Sequence, residues 1–211
     1  MTGDSGGAIA GVIIAGGLSR RMGGGDKSLA DLAGQPMIGH VIARLRPQVA
    51  ALAVNANGDP MRFAAFGLPV LPDPVGGFVG PLAGLLAAMQ WARRADMQLV
   101  VTAPADTPFL PEYLVTRLHD GIGTAEIAVA HSRGAEHPTI ALWRTSLADD
   151  LARWLRNDDH RAVHAWIGIR RAVAVDFPDC DEGDPFFNVN TPADLESARN
   201  RVRKHAWLPL R

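Results

Sequence analysis

Ile9-Ala-Gly-Val-Ile-Ile-Ala15, running directly into Gly16-Gly-Leu-Ser-Arg-Arg-Met-Gly-Gly-Gly-Asp-Lys27, is the stretch on which the fold turns. A short apolar run closed by glycines reads as a buried strand feeding a turn. Gly16, Gly17 and the glycines after them lack a Cβ, so the backbone can turn tightly and bring N–H groups close to phosphate oxygens. Arg20, Arg21 and Lys27 add positive charge, arginine as a bidentate grip and lysine as a point charge. Two familiar loops are excluded. A P-loop ends Gly-Lys-Ser/Thr, whereas Asp26 precedes Lys27 and Ser28 here. The dinucleotide fingerprint needs G-x-G directly after the strand, and Gly16-Gly17-Leu18 breaks it. Taken alone, the stretch also fits a flexible surface loop with solvated arginines.

Outward from this stretch, strands and helices alternate. Pro36 to Leu45 reads as a helix, Ala51 to Val54 as a strand, Asp59 to Phe66 as a short helix and Pro69 to Leu71 as a third strand. A helix from Pro81 to Arg94 and a strand from Gln98 to Thr102 follow. The second half is less regular. Ile127 to Ala130 and Thr139 to Trp143 read as an antiparallel pair, Leu147 to Arg156 and Ala162 to Ile169 as helices, and Ala172 to Phe177 as a strand. Pro192 to Val202 closes the chain as a helix with Thr191 as its N-cap. The expected fold class is α/β, a mainly parallel sheet with helices on both faces. The glycine loop, Asn55, Asp73 and Asp106 each follow an apolar run. In an open parallel sheet those positions share the carboxyl edge, where ligands bind.

Bulk properties narrow the class. The 211 residues are 47% hydrophobic and 20% charged, and no repeat or long linker divides them, so 1–211 reads as one domain with 1–7 as a disordered tail. With 22 acidic and 21 basic residues the net charge is −1, which leaves no basic field for nucleic acid. The apolar stretches are too short to cross a bilayer. Met1 to Gly7 has no signal-peptide character, and Cys180, the lone cysteine, reads as an incidental loop thiol in a reducing compartment, so a cytoplasmic location is expected. Trp154 and Trp166 read as core residues.

Ile14-Ala-Gly-Gly17, Ser19-Arg-Arg-Met-Gly-Gly24, Asp26-Lys27, Asn55-Ala-Asn57, Pro72-Asp73, Gly80-Pro-Leu-Ala-Gly84, Asp106-Thr-Pro108, His137-Pro-Thr139 and Phe187-Asn-Val-Asn-Thr-Pro192 occur in this order. Together they resemble the molybdenum cofactor guanylyltransferases over nearly the whole chain. One departure is Ala105, where relatives often carry cysteine. The resemblance implies a nucleotide-diphospho-sugar transferase type of fold, a Rossmann-like sheet with one antiparallel strand. It implies nucleotide contacts at Ile14, Ala15, Gly16, Gly17, Lys27, Asn55, Asp73 and Asp106, with Mg²⁺ on Asp106.

The implied reaction is transfer of GMP from Mg-GTP to the terminal phosphate of molybdopterin, with Lys27, Asp106 and Arg21 as catalytic residues and Arg20 as an alternative or companion to Arg21. Asn188, Asn190 and His137 are the candidates for acceptor binding. Each carries a plainer reading: Asn188 and Asn190 as turn residues before a helix, His137 as a structural histidine, Asp73 as a turn former, and Asp106 as the start of a turn. GTP and molybdopterin are thus the expected partners, with room for transient contact with cofactor-biosynthesis proteins or acceptor molybdoenzymes. A cytidylyltransferase or another nucleotidyltransferase of the same fold is the nearest alternative, and a non-catalytic GTP-binding module a more distant one.

Overall fold

The computed structural model describes residues 7–16, 26–75, 80–157, 162–179 and 183–204. Arg20, Arg21, Gly17 and Cys180 lie outside these residues, as does most of the expected 1–7 tail.

The strand read from the opening stretch is β1 (Ile9–Ile14). β4 (Ala51–Asn55) and β6 (Leu99–Pro104) flank it, both parallel, and β5 (Val70–Leu71) extends the sheet beyond β4. On the other side come β8 (Ala135–Arg144), then β7 (Ile127–Ser132), then β9 (Ala172–Asp176), giving the order β5-β4-β1-β6-β8-β7-β9. β8 alone runs against its neighbours: it pairs antiparallel with both β6 and β7, whereas β7 and β9 are parallel. The expected single antiparallel strand is therefore present. It is longer than Thr139 to Trp143 because pairing with β7 resumes at His137 beyond a bulge of β8 residues 138–140, opposite the step from Val129 to Ala130, and continues to Ala135.

β1 is apolar at every position because it is central and covered on both faces. Ile13 points to one side with Val54 and Val101, against α1 (Met37–Leu45) and α3 (Leu114–Ile122). Val12 and Ile14 point to the other, with Ala53 and Val100, against α2 (Pro81–Arg94), α4 (Ala148–Asn157) and α5 (Val163–Ile167). Trp166 is fully buried and lies 6.0 Å from Trp143, ring to ring, as a core residue. Trp154 packs against the same cluster while remaining partly exposed.

Apart from short 3-10 turns, one helix and one hairpin escaped the sequence reading. α3 follows Pro111 and Glu112 without a capping side chain, so no start signal marks it. The second is a hairpin of β2 (Asp31–Leu32) and β3 (Gln35–Pro36), turned by Ala33 and Gly34 at positive φ. Pro36 consequently ends a strand instead of starting α1, and the expected helix at Asp59 to Phe66 is a 3-10 helix over Pro60–Phe66. α6 (Pro192–Lys204) docks through Ala198 and Val202 onto Leu32 and Met37, together with Phe109 and Val189. This third, smaller cluster holds residues 186–190 against the carboxyl edge of the sheet.

Candidate active site

From β1 the chain reaches β4 and β5 on one side, then returns across β1 to place β6 on the other. The reversal leaves a crevice at the carboxyl ends of β1 and β6, the place where open α/β sheets bind ligands. Ile14, Ala15 and Gly16 leave β1 into this crevice, and Pro104, Ala105 and Asp106 leave β6 into it. With Asp26, Lys27, Ser28, Pro81, Thr139 and Asn188 they line an open cleft of about 200 Å³, smaller than the ~300–1,000 Å³ typical of small-molecule sites.

Lys27 sits on a single 3-10 turn, Lys27–Leu29, capped by Asp26. Asp26 Oδ1 accepts from Ser28 N at 3.0 Å and from Ser28 Oγ at 2.6 Å, which fixes the turn. From there the Lys27 ammonium donates to Asp106 Oδ2 at 2.6 Å and to Asn190 Oδ1 at 2.5 Å. Three segments far apart in sequence thus meet at one nitrogen. Lys27 and Asp106 side chains are only 16% and 22% exposed, so their attraction is screened less than that of a surface pair. The second carboxylate oxygen, Asp106 Oδ1, is shielded from solvent and accepts no hydrogen bond among the described residues.

A desolvated, unpartnered carboxylate oxygen is costly unless something binds it. No group of three or more His, Cys, Asp or Glu side chains able to hold a metal occurs among the described residues. One carboxylate facing a phosphate-sized cleft suits a hard cation that takes its remaining ligands from substrate oxygens and water, as Mg²⁺ does. The residues present therefore fit such an ion.

Beside Gly16, the ends of β4 and β5 form a polar wall. Asn55 is 1% exposed, and its Nδ2 donates to Leu71 O and to Asp73 Oδ1, each at 3.0 Å. Asn57 Nδ2 donates to Asp73 Oδ2 at 2.6 Å, while Asn57 Oδ1 accepts from Asp73 N at 3.0 Å. Asp73 is therefore more than a turn former, because two amide side chains aim its carboxylate. Gly84 of α2 makes room for this wall: a Cβ there would fall well under 3.0 Å from Asn55 Oδ1. Among the described residues, a Cβ at Gly16 would meet only Asn55 Oδ1, at 3.8 Å.

The opposite wall comes from the end of the chain. Val189 N donates to the Asp106 carbonyl at 2.9 Å, which lays residues 188–190 across the metal-binding candidate. Thr191 caps α6 as expected, its Oγ1 accepting from Asp194 N at 3.1 Å. Asp194 reciprocates by accepting from Asn190 N and Thr191 N. The Thr191 hydroxyl contact, the two backbone donors and the charge of Lys27 hold the Asp194 carboxyl below its ordinary range.

His137 stands at the same sheet edge but is engaged elsewhere, with Nε2 2.8 Å from Ser132 Oγ and its ring 4.7 Å from Phe186. Burial lowers its pKa. Of the candidates from sequence, Lys27, Asp106 and Asn190 make direct contact, and Asn188 lines the cleft with Ile14, Ala15 and Gly16. Asn55 and Asp73 form the adjoining wall, and His137 stands apart. Sequence reasoning missed the bracing role of Asp26, which an Asp-x-Ser cap signals, and that of Asn57. It also missed Arg62, which no local pattern announces.

A parallel sheet with its reversal point lined by a lysine, a carboxylate and paired asparagines defines the class, a nucleotidyltransferase. Residues 11–173 match the model of the MobA-like NTP transferase domain. A molybdenum cofactor guanylyltransferase of Rhodopseudomonas palustris is 52% identical over 191 residues, 89% of this chain and 90% of that one. Another from Rhizobium meliloti is 48% identical over 205 residues, 94% and 91% of the two chains. Among solved structures, the molybdopterin-guanine dinucleotide biosynthesis protein A of Archaeoglobus fulgidus shares the fold with a TM-score of 0.72 at 23% identity, covering 92% of this chain and 99% of that one. The chain belongs to the molybdenum cofactor guanylyltransferase family.

Proposed function

We propose that the protein transfers GMP from Mg-GTP to the terminal phosphate of molybdopterin, releasing pyrophosphate and forming molybdopterin guanine dinucleotide. The observation that carries this reading is the 2.6 Å contact between Lys27 and Asp106, 79 residues apart, at the reversal point of the sheet. An acceptor phosphate oxygen attacks the α-phosphorus in line. A new P–O bond forms as the bond to the β-phosphate oxygen breaks, and its electron pair leaves with pyrophosphate. The nucleophile is already an anion, so no protein side chain need remove a proton.

Placement and charge neutralisation then supply the catalysis. Lys27 carries positive charge to the α-phosphate and the departing pyrophosphate, and Asn190 steadies its ammonium from the acceptor side. Arg21, with or without Arg20, would add to the same charge. A divalent ion on Asp106, magnesium in this reading, would neutralise triphosphate charge and orient it. Asn188 and Asn190 offer amide donors and acceptors to the amide-like edge of a pterin.

The base choice is supported by Asp73. A carboxylate has roughly four acceptor positions, and Asn55 and Asn57 each use one. The remainder suits the adjacent N1–H and amino donors of guanine, whereas cytosine sets a single donor group beside an acceptor. Pyrophosphate release should be compared with GTP, CTP and ATP in the presence of molybdopterin. GTP is expected to be the best donor. A preference for CTP would reassign the base, and no release with any nucleotide would reduce the site to a binding module.

A further inference from the structure

Arg62 is absent from the cleft lining, yet it touches both the turn that carries Lys27 and the Asn57–Asp73 wall. It sits in the Pro60–Phe66 3-10 helix, whose start Asp59 caps by accepting from Met61 N at 2.9 Å. The guanidinium lies 4.8 Å above the ring of Phe63, itself fully buried. Gly58, at φ +83°, passes beneath it with so little space that a Cβ would come within 3.2 Å of Nη1. Held in this way, Arg62 reaches in two directions. Nη2 donates to the Asn57 carbonyl at 2.7 Å. Nε lies 2.9 Å from Asp26 Oδ2, with its N–H not aimed at that oxygen, so the contact is an ion pair and not a linear hydrogen bond.

Each contact ends on a residue that positions another. Asp26 spends its second oxygen capping the turn that carries Lys27. Asn57 uses its side chain to aim the Asp73 carboxylate. We propose that Arg62 is a positioning residue that locks the Asp26–Ser28 turn to the Asn57–Asp73 wall, fixing the spacing between the phosphate side and the base side of the nucleotide site before GTP arrives. This rests on the reading of that site as the GTP site. Preorganisation of this kind shows in affinity, because ordering two walls at the moment of binding subtracts from the binding free energy.

The test is calorimetric GTP affinity with kcat measured at saturating GTP. Arg62→Met is expected to weaken GTP binding about tenfold while kcat stays within about threefold. Arg62→Lys, which keeps the charge but not the fork, should recover part of the loss. Asp26→Asn should weaken GTP similarly, and combining it with Arg62→Met should cost no more than the larger single effect. Unchanged affinity in Arg62→Met, even with a lowered melting temperature, would overturn the proposal, as would full additivity in the double variant. Lys27→Ala separates the two levels. If it binds GTP like the wild type, the site reading fails and the Arg62 proposal falls with it. If Lys27→Ala loses affinity while Arg62→Met does not, only the Arg62 proposal falls.

Discussion

Asp106 divides its carboxylate, one oxygen taken by the Lys27 ammonium and the other buried without a partner among the described residues. Replacing it with alanine removes both, and the β6 backbone around it stays tied by Ala105 N to Ile14 O at 3.0 Å. The Asp106→Ala variant is therefore expected to keep its near-UV circular dichroism while GTP-dependent pyrophosphate release falls about a hundredfold or more, the ~3 kcal/mol typical of one lost charge-stabilising group. Near-normal turnover would remove Asp106 from the mechanism. Gly84 offers a second residue-level test. Alanine should favour the helix by about 1 kcal/mol, but its methyl would meet Asn55, and such overpacking costs about 1–3 kcal/mol. Overpacking wins, so Gly84→Ala should lower both urea stability and GTP affinity. A stabilised variant with normal affinity would show that Asn55 simply moves aside. Asn55, Asp73 and Asp106 were singled out in sequence because each follows an apolar run, and Lys27 because it closes the glycine-rich stretch after the first of them. Arg62 was not, since its importance comes from Asp26 and Asn57, distant or incidental in sequence and adjacent only after folding.

Among the elements, β8 shows why the second half of the sheet was harder to read. Its inner side binds through a buried relay: Trp143 Nε1 donates to Thr102 Oγ1 at 2.8 Å, and Thr102 Oγ1 donates to Thr139 O at 2.9 Å. A threonine in the middle of a central strand looks like a weak point until its two partners are known. Thr102→Val keeps the shape but strands a buried indole N–H, which costs about 1–3 kcal/mol. The midpoint of urea denaturation should fall accordingly; an unchanged midpoint would mean the relay contributes nothing. The bulge lies in β8, where Pro138 is its one sequence mark, and α3 starts without a capping side chain, whereas β1 was legible from its apolar run and α2 and α6 from their proline starts.

Across the whole molecule, two histidines give stability a pH dependence of definite sign. His40 on α1 is buried, its Nε2 2.8 Å from Leu32 O, and burial lowers its pKa from the ordinary 6.5 despite that bond and the nearby Asp31. Burial lowers His137 as well. As pH drops through 6.5 the unfolded chain takes up protons that the native chain refuses, so stability is full above that value and lost below it. The loss can reach about 1.4 kcal/mol per pH unit for each group. Melting temperature should decline from about pH 7 to about pH 5.5, and His40→Gln should flatten the decline. A slope unchanged in that variant would assign the effect to other groups.

No helix among the described residues is long and apolar enough to cross a membrane. The matched NTP transferase domain stops at residue 173, yet Asn188 and Asn190 lie beyond it and the second of them grips Lys27. Val189 hangs this late segment on the main-chain carbonyl of Asp106, a group every residue possesses. Such an anchor places no demand on the identity of the side chains it carries. On the proposed reading of this strip as the acceptor side, changes at Asn188 would re-specify the recipient of the nucleotide while the Asn190–Lys27 contact, and with it the donor machinery, stays in place.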